Sequence, residues 1–137
     1  MRKITLGMLA ALLLVIYGVG AASAQSLSAE FTITNSYGST INLDSASCTS
    51  GSIFPPSSIA NNATQSFSGT TTSGSTLCTV RYHSGSFGCQ FQIDATNSGT
   101  GFASENAYEG SGGHPTCPAP TYTPTTGNQA ATFIMKP

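Results

Sequence analysis

Two short runs flanking Ser84-Gly85-Ser86 alternate apolar and polar residues with a period of two, a pattern that suits a β-strand and leaves no stripe for a helix. Cys78, Val80 and Tyr82 share one face of the first run. Phe87, Cys89, Phe91 and Ile93 share one face of the second, leaving Arg81, Gln90 and Gln92 for solvent. The expected unit is a hairpin that buries cysteines beside aromatics. Even positions meet odd ones across it, and turn length decides whether Cys78 lies opposite Cys89.

The same period recurs in Ala29-Glu30-Phe31-Thr32-Ile33-Thr34. After the turn residues Ser36-Tyr37-Gly38-Ser39, Ile41, Leu43 and Ser45 alternate with Asn42, Asp44 and Ala46. The simplest arrangement pairs these two segments as a hairpin. Further runs lie at Ser52 to Phe54, Gln65 to Ser68 and Ala130 to Met135, and no helical stripe appears. Seven short strands divided by Gly, Pro, Asn and Ser clusters predict an all-β chain, a single antiparallel β-sandwich. Serine and threonine supply 37 of the 113 residues from Gln25 onward, a richness shared with disordered linkers. The alternation argues for a packed core instead.

Ahead of the strands, Met1-Arg2-Lys3 precedes an apolar run from Ile4 to about Val19 and then Ala22-Ser23-Ala24. This order predicts a signal peptide over 1–24, cleaved before Gln25, and a single domain over 25–137. The apolar run is shorter than the roughly 20 residues a spanning helix needs. Gln25 is no lipoprotein acceptor, and the tail Thr132–Pro137 is too short for a lipid-anchor signal. The expected product is secreted, extracellular or periplasmic, with no transmembrane segment.

Export makes disulfides the first reading of Cys48, Cys78, Cys89 and Cys117. Four cysteines allow three pairings. Cys48–Cys78 with Cys89–Cys117 is preferred, because it joins separate strands and pins the proline-rich segment from Glu109 to Asn128, otherwise an unusually long loop. Cys48–Cys117 with Cys78–Cys89 is the main alternative.

After cleavage, Arg81 and Lys136 oppose Glu30, Asp44, Asp94, Glu105 and Glu109, a balance of 2 minus 5, or −3. Two cations cannot build the basic surface that nucleic acid requires. His83 and His114, the latter in His114-Pro115-Thr116-Cys117, match no zinc spacing, and a thiol tied in a disulfide cannot ligate, so no metal and no cofactor are expected. No nucleophile elbow surrounds any serine, and nothing places two of Asp94, Glu105 and Glu109 across a cleft. Glu105 and Glu109 read as solvated loop charges, and the chain as non-enzymatic. Asn62-Ala63-Thr64 forms a glycosylation sequon.

Six aromatics enter the search for a ligand surface: Tyr37, Tyr82, Phe87, Phe102, Tyr108 and Tyr122. Alternation assigns Tyr82 and Phe87 to the core. Tyr37, Tyr108 and Tyr122 lie among Gly, Ser, Asn and Pro and are the candidate contact residues, since an exposed tyrosine offers an apolar face and a hydroxyl to lipid headgroups and sugar rings alike.

From Phe31 to Tyr82 the parts follow a recognisable order: Phe31-Thr32-Ile33-Thr34-Asn35, Ile41-Asn42-Leu43, Cys48-Thr49-Ser50-Gly51, Pro55-Pro56-Ser57-Ser58-Ile59, Phe67 and Val80-Arg81-Tyr82. This resembles the small aegerolysin-type sandwiches over about the first half of the exported chain. The resemblance implies a secreted all-β protein that recognises particular membrane lipids, in some members together with a perforin-like partner. The chain differs in having no tryptophan, on which that family leans near its lipid-contacting surface, and in its four cysteines. The expected partner is a membrane lipid or glycan. The alternative is a structural or host-facing interaction protein that binds another protein.

Overall fold

A computed structural model describes residues 25–99, 101–108, 115–125 and 127–137, with the side chains of 105–108, 124 and 125 outside the description. The expected leader over 1–24, with Glu109 and His114, lies outside the described residues. Ten strands follow in chain order: β1 Leu27–Asn35, β2 Ile41–Cys48, β3 Ser52–Ile53, β4 Ser58–Ile59, β5 Thr64–Thr71, β6 Ser75–Ser84, β7 Phe87–Thr96, β8 Gly101–Tyr108, β9 Thr121–Thr125 and β10 Asn128–Met135. They form two five-stranded sheets, ordered β3-β5-β1-β10-β9 and β4-β2-β6-β7-β8. The chain is an all-β sandwich closed by two disulfides.

The β6–β7 hairpin follows the alternation that predicts it. Cys78, Val80 and Tyr82 are buried, as are Cys89, Phe91 and Ile93 on the return strand, whereas Phe87, expected in the core, is only half-buried because it opens β7 beside the turn. Ser84 pairs with Phe87, so the loop is the two residues Gly85-Ser86, and Gly85 holds φ +60° at its first position. That is the glycine a type II′ turn requires, and the mirror-image twist of such a turn suits paired strands. The resulting register sets Cys78 opposite Ile93 and Cys89 opposite Tyr82. Cys78 instead faces Cys48 across β2 and β6, their Cα atoms 4.0 Å apart, and the two are bonded. Cys89 bonds Cys117 and so ties β7 to the segment leading into β9.

The structure corrects the expected first hairpin. β1 and β2 lie in opposite sheets, β1 between β5 and β10 and β2 between β4 and β6. β1 buries Leu27, Ala29, Phe31 and Ile33 and needs an apolar-faced neighbour on each side, which β5 and β10 supply through Phe67 and through Ala131 and Phe133. β2 buries only Ile41 fully and serves near an edge, where one buried face suffices. The buried Asn35 side chain donates to the carbonyls of Ser39 and Ile59 and accepts from the Tyr37 N–H, at 2.8–3.0 Å. These bonds steer the chain across to the second sheet.

A second difference is polarity, since β1 and β10 run parallel in an otherwise antiparallel fold. Three strands lie beyond the seven expected ones. β4 is two residues long, β9 falls inside the supposed long loop, and β8 contains Glu105, expected in a loop. Phe54 lies just past the end of β3 rather than in it. Inside the sandwich a column of rings runs Phe67, Phe31, Phe133, Phe91, with successive centroids 4.9–5.7 Å apart.

Candidate functional site

The three candidate tyrosines do not converge. Tyr37 lies in the β1–β2 turn, where Asn35 holds its backbone, and its ring packs half-buried against the core. Gly38 N–H donates to Asn61 Oδ1, and the Ser39 and Ser84 hydroxyls bond at 2.8 Å, so the turn is tied to the β6–β7 hairpin and to the loop before β5. Tyr108 ends β8 opposite Gly88, at the same end of the sandwich as Tyr37, and its side chain is outside the description. Tyr122 sits on the edge strand β9, opposite Ala131 of β10 and away from the end that carries Tyr37. Its hydroxyl donates to Oε1 of the fully buried Gln129 at 2.6 Å. Burial, and then the nearby Asp94 carboxylate, raise the Tyr122 phenol above its ordinary pKa. Tyr82, inside the core, donates to the Pro56 carbonyl at 2.7 Å, and burial raises its phenol as well.

Polar chemistry elsewhere is sparse. Among the described residues no three His, Cys, Asp or Glu side chains gather to hold a metal ion. His83 Nδ1 lies 2.9 Å from the Gly85 carbonyl oxygen in its own hairpin. Asn62, the sequon asparagine, is exposed in a turn with φ +62°.

Hydroxyls dominate the outer faces. On the β1–β5 ladder, Thr32 pairs with Ser66 at 3.0 Å and Thr34 with Thr64 at 2.8 Å. A shallow depression of about 360 Å³ lies there among Glu30, Thr32, Ser66 and Ser68, over the Phe31 and Phe67 backbones. Another, of about 330 Å³, lies at the far end from Tyr37 and is lined by Ser26, Gly51 and Thr70 to Ser73. Both are open dishes, too shallow to enclose a ligand as the pockets of enzymes do.

Among the described residues two large apolar side chains stand out of the surface, Phe54 at 84% and Phe102 at 51% exposure. Sequence reasoning placed Phe102 among the aromatics and missed Phe54 by ending a strand on it. The signal was Pro55-Pro56 immediately after, since a strand that meets two prolines stops pairing and releases its last side chain.

No protein-family model matches the chain, and no curated protein matches it in sequence. Its fold does match a solved structure, the crystal structure of the lipid binding protein Nakanori. The TM-score is 0.64 and the identity 10%, over 80% of this chain and 70% of that one.

Proposed function

We propose that this protein is an exported, non-catalytic binding module that recognises the uncharged or zwitterionic headgroups of membrane lipids. The observation that carries the reading is the sandwich itself, an architecture also built by a lipid-binding protein over most of both chains. Fold alone hosts many functions, and the exterior supports this one. With Arg81 and Lys136 as its only side-chain cations after residue 24, the chain has little to attract phosphate-rich polymers, while hydroxyls cover the β1–β5 face. Two disulfides are typical of extracellular proteins and support export.

Sedimentation of the oxidised protein 25–137 with vesicles varying in sphingolipid, sterol and glycolipid tests the reading. Selective co-sedimentation is expected, and binding to none of the compositions refutes it. Capture of a specific protein from envelope extract, with no retention on vesicles or glycan arrays, would favour the second reading, a module that binds another protein. Of the two candidate tyrosines with described side chains, Tyr37 is better placed than Tyr122 for ligand contact, on a turn that Asn35 pre-organises.

A further inference from the structure

β3 packs against β2 and β8 against β9, so β3 and β4 share one side of the sandwich and β8 and β9 the other. Across the first side runs Phe54-Pro55-Pro56-Ser57, leaving one sheet at Ile53 and joining the other at Ser58. Its path is held at several points. Ile53 pairs with Gly69, the Pro56 carbonyl accepts from buried Tyr82, the Ser57 carbonyl accepts from Leu43 N–H at 2.9 Å, and Ile59 pairs with Ile41. Two consecutive prolines with fixed φ stiffen what lies between. Phe54 therefore stands 84% exposed on a segment that has little freedom to fold its ring back. A singly exposed apolar residue needs no explanation on an ordinary surface, but here a second observation accompanies it.

The thirty-six residues from Ser45 to Val80 contain no Asp, Glu, Lys, Arg or His. They comprise the end of β2, all of β3, β4 and β5, and half of β6, which is the side of the sandwich around Phe54. The charges that border this region are Asp44 and Arg81 along the chain, and Glu30, whose register partner is Ser68. Phe102 offers the contrast. It lies on the other side, in β8, directly opposite Asp94. Drawing a charge out of water is costly, whereas an aromatic ring gains by leaving it. A flank this poor in charge, with the exposed Asp44 of β2 at its border and one rigid protruding ring, suits a neutral bilayer interface, where amphipathic and aromatic groups settle.

From the rigid exposure of Phe54 and the charge-free stretch around it, we infer that the β3–β4 side is the face laid against the membrane, with Phe54 entering the interfacial layer. This inference rests on the lipid-binding reading and adds the orientation of the sandwich to it. The hydroxyls of Ser66 and Ser68, on the neighbouring strand β5, then lie beside the headgroups.

The absence of tryptophan makes the test clean, because Phe54→Trp and Phe102→Trp each install a single tryptophan, which red-edge excitation selects over the tyrosines. Both positions are exposed, so neither exchange disturbs the core. Vesicles of zwitterionic phosphatidylcholine, with sphingolipid, sterol or glycolipid added in turn, are the probe. With any composition that sediments the native protein, the Phe54→Trp emission is expected to shift to shorter wavelength and to be quenched by brominated acyl chains. Phe102→Trp is expected to show neither change. Phe54→Ser is expected to weaken partitioning on the order of tenfold or more, from the transfer value of one phenylalanine ring. Sedimentation of Phe54→Trp without shift or quenching, or a response at residue 102 instead, overturns the orientation and leaves lipid binding intact. Failure of the native protein to sediment with every composition removes the lipid reading and this inference together.

Discussion

Gly69 is the position at which a single added methyl group tests the packing most directly. It lies in β5 over the Cys48–Cys78 bridge, and a Cβ built there meets Cys78 Sγ at 2.5 Å and Cys48 Sγ at 2.7 Å. Neither sulfur can swing away, because each is bonded to the other and both strands are paired. Gly69→Ala should therefore cost about 1–3 kcal/mol, the usual penalty for overpacking. At about 4 °C per kcal/mol for a chain of this length, the melting temperature falls by roughly 4–12 °C. In the Cys48→Ala/Cys78→Ala background both sulfurs are gone. That background is itself less stable by about 3.6 kcal/mol, from the chain-entropy relation for a separation of 30 residues. Within it, Gly69→Ala should become neutral or gain about 0.4–1 kcal/mol, since alanine has fewer unfolded conformations to lose. The double-mutant cycle, followed by denaturant unfolding with far-UV circular dichroism, is thus expected to give a coupling of at least about 1 kcal/mol. An equal cost of Gly69→Ala with and without the bridge would refute the steric argument.

Three further outcomes follow from the interior. Asn35→Ala removes two donors and one acceptor from a fully buried position; a loss of about 2 kcal/mol or more is expected in urea unfolding. Tyr122→Phe removes the phenol that donates to buried Gln129 and should cost about 1 kcal/mol, with no change in the Phe column around Phe133 as read by near-UV dichroism. Burial raises the phenols of Tyr82 and Tyr122 above the ordinary value of 10.0, so the folded chain keeps protons that the unfolded chain releases. Their contribution to stability is fully present below about pH 10 and is lost as pH climbs beyond it, because the unfolded state then binds fewer protons. Unfolding midpoints measured from pH 8 to 11 should fall at the alkaline end, and a flat profile would contradict the burial of Tyr82.

The parts of the fold legible in the sequence are those decided locally. The β6–β7 hairpin is written in two alternating runs and a glycine suited to φ > 0, and each of these acts within a few residues. Partner choice between distant strands is not local. β1 has the same alternation whether it pairs with β2 or with β5 and β10, and the choice depends on which strands carry enough apolar surface to cover both its neighbours' sides. β9 escaped notice because Pro124 and three threonines disguise an edge strand, a place where proline is tolerated. The enclosure of Tyr122 depends on Gln129 of the adjacent strand, and no pattern around residue 122 announces it. Phe54 was hidden for the opposite reason, since its apolar character suggested a strand while the prolines beside it held it outside one.

The parallel pairing of β1 with β10 also sets the order in which the molecule can mature. β6, β7 and β8 are successive neighbours joined by short turns and can assemble as they are made. β1 is the first of the ten described strands, yet one of its two ladders runs from Ser28–Asn128 to Asn35–Met135 and needs the tenth. Synthesis proceeds amino end first, so β1 must wait with half its hydrogen-bonding capacity open until residue 135 has been delivered. Non-local pairing of this kind is slow, and an interrupted chain lacking β10 would expose Phe31 and Ile33 to any strand at hand. β10 thus closes a ladder that any fragment lacking it leaves open, and such a fragment is prone to aggregate and open to proteolysis.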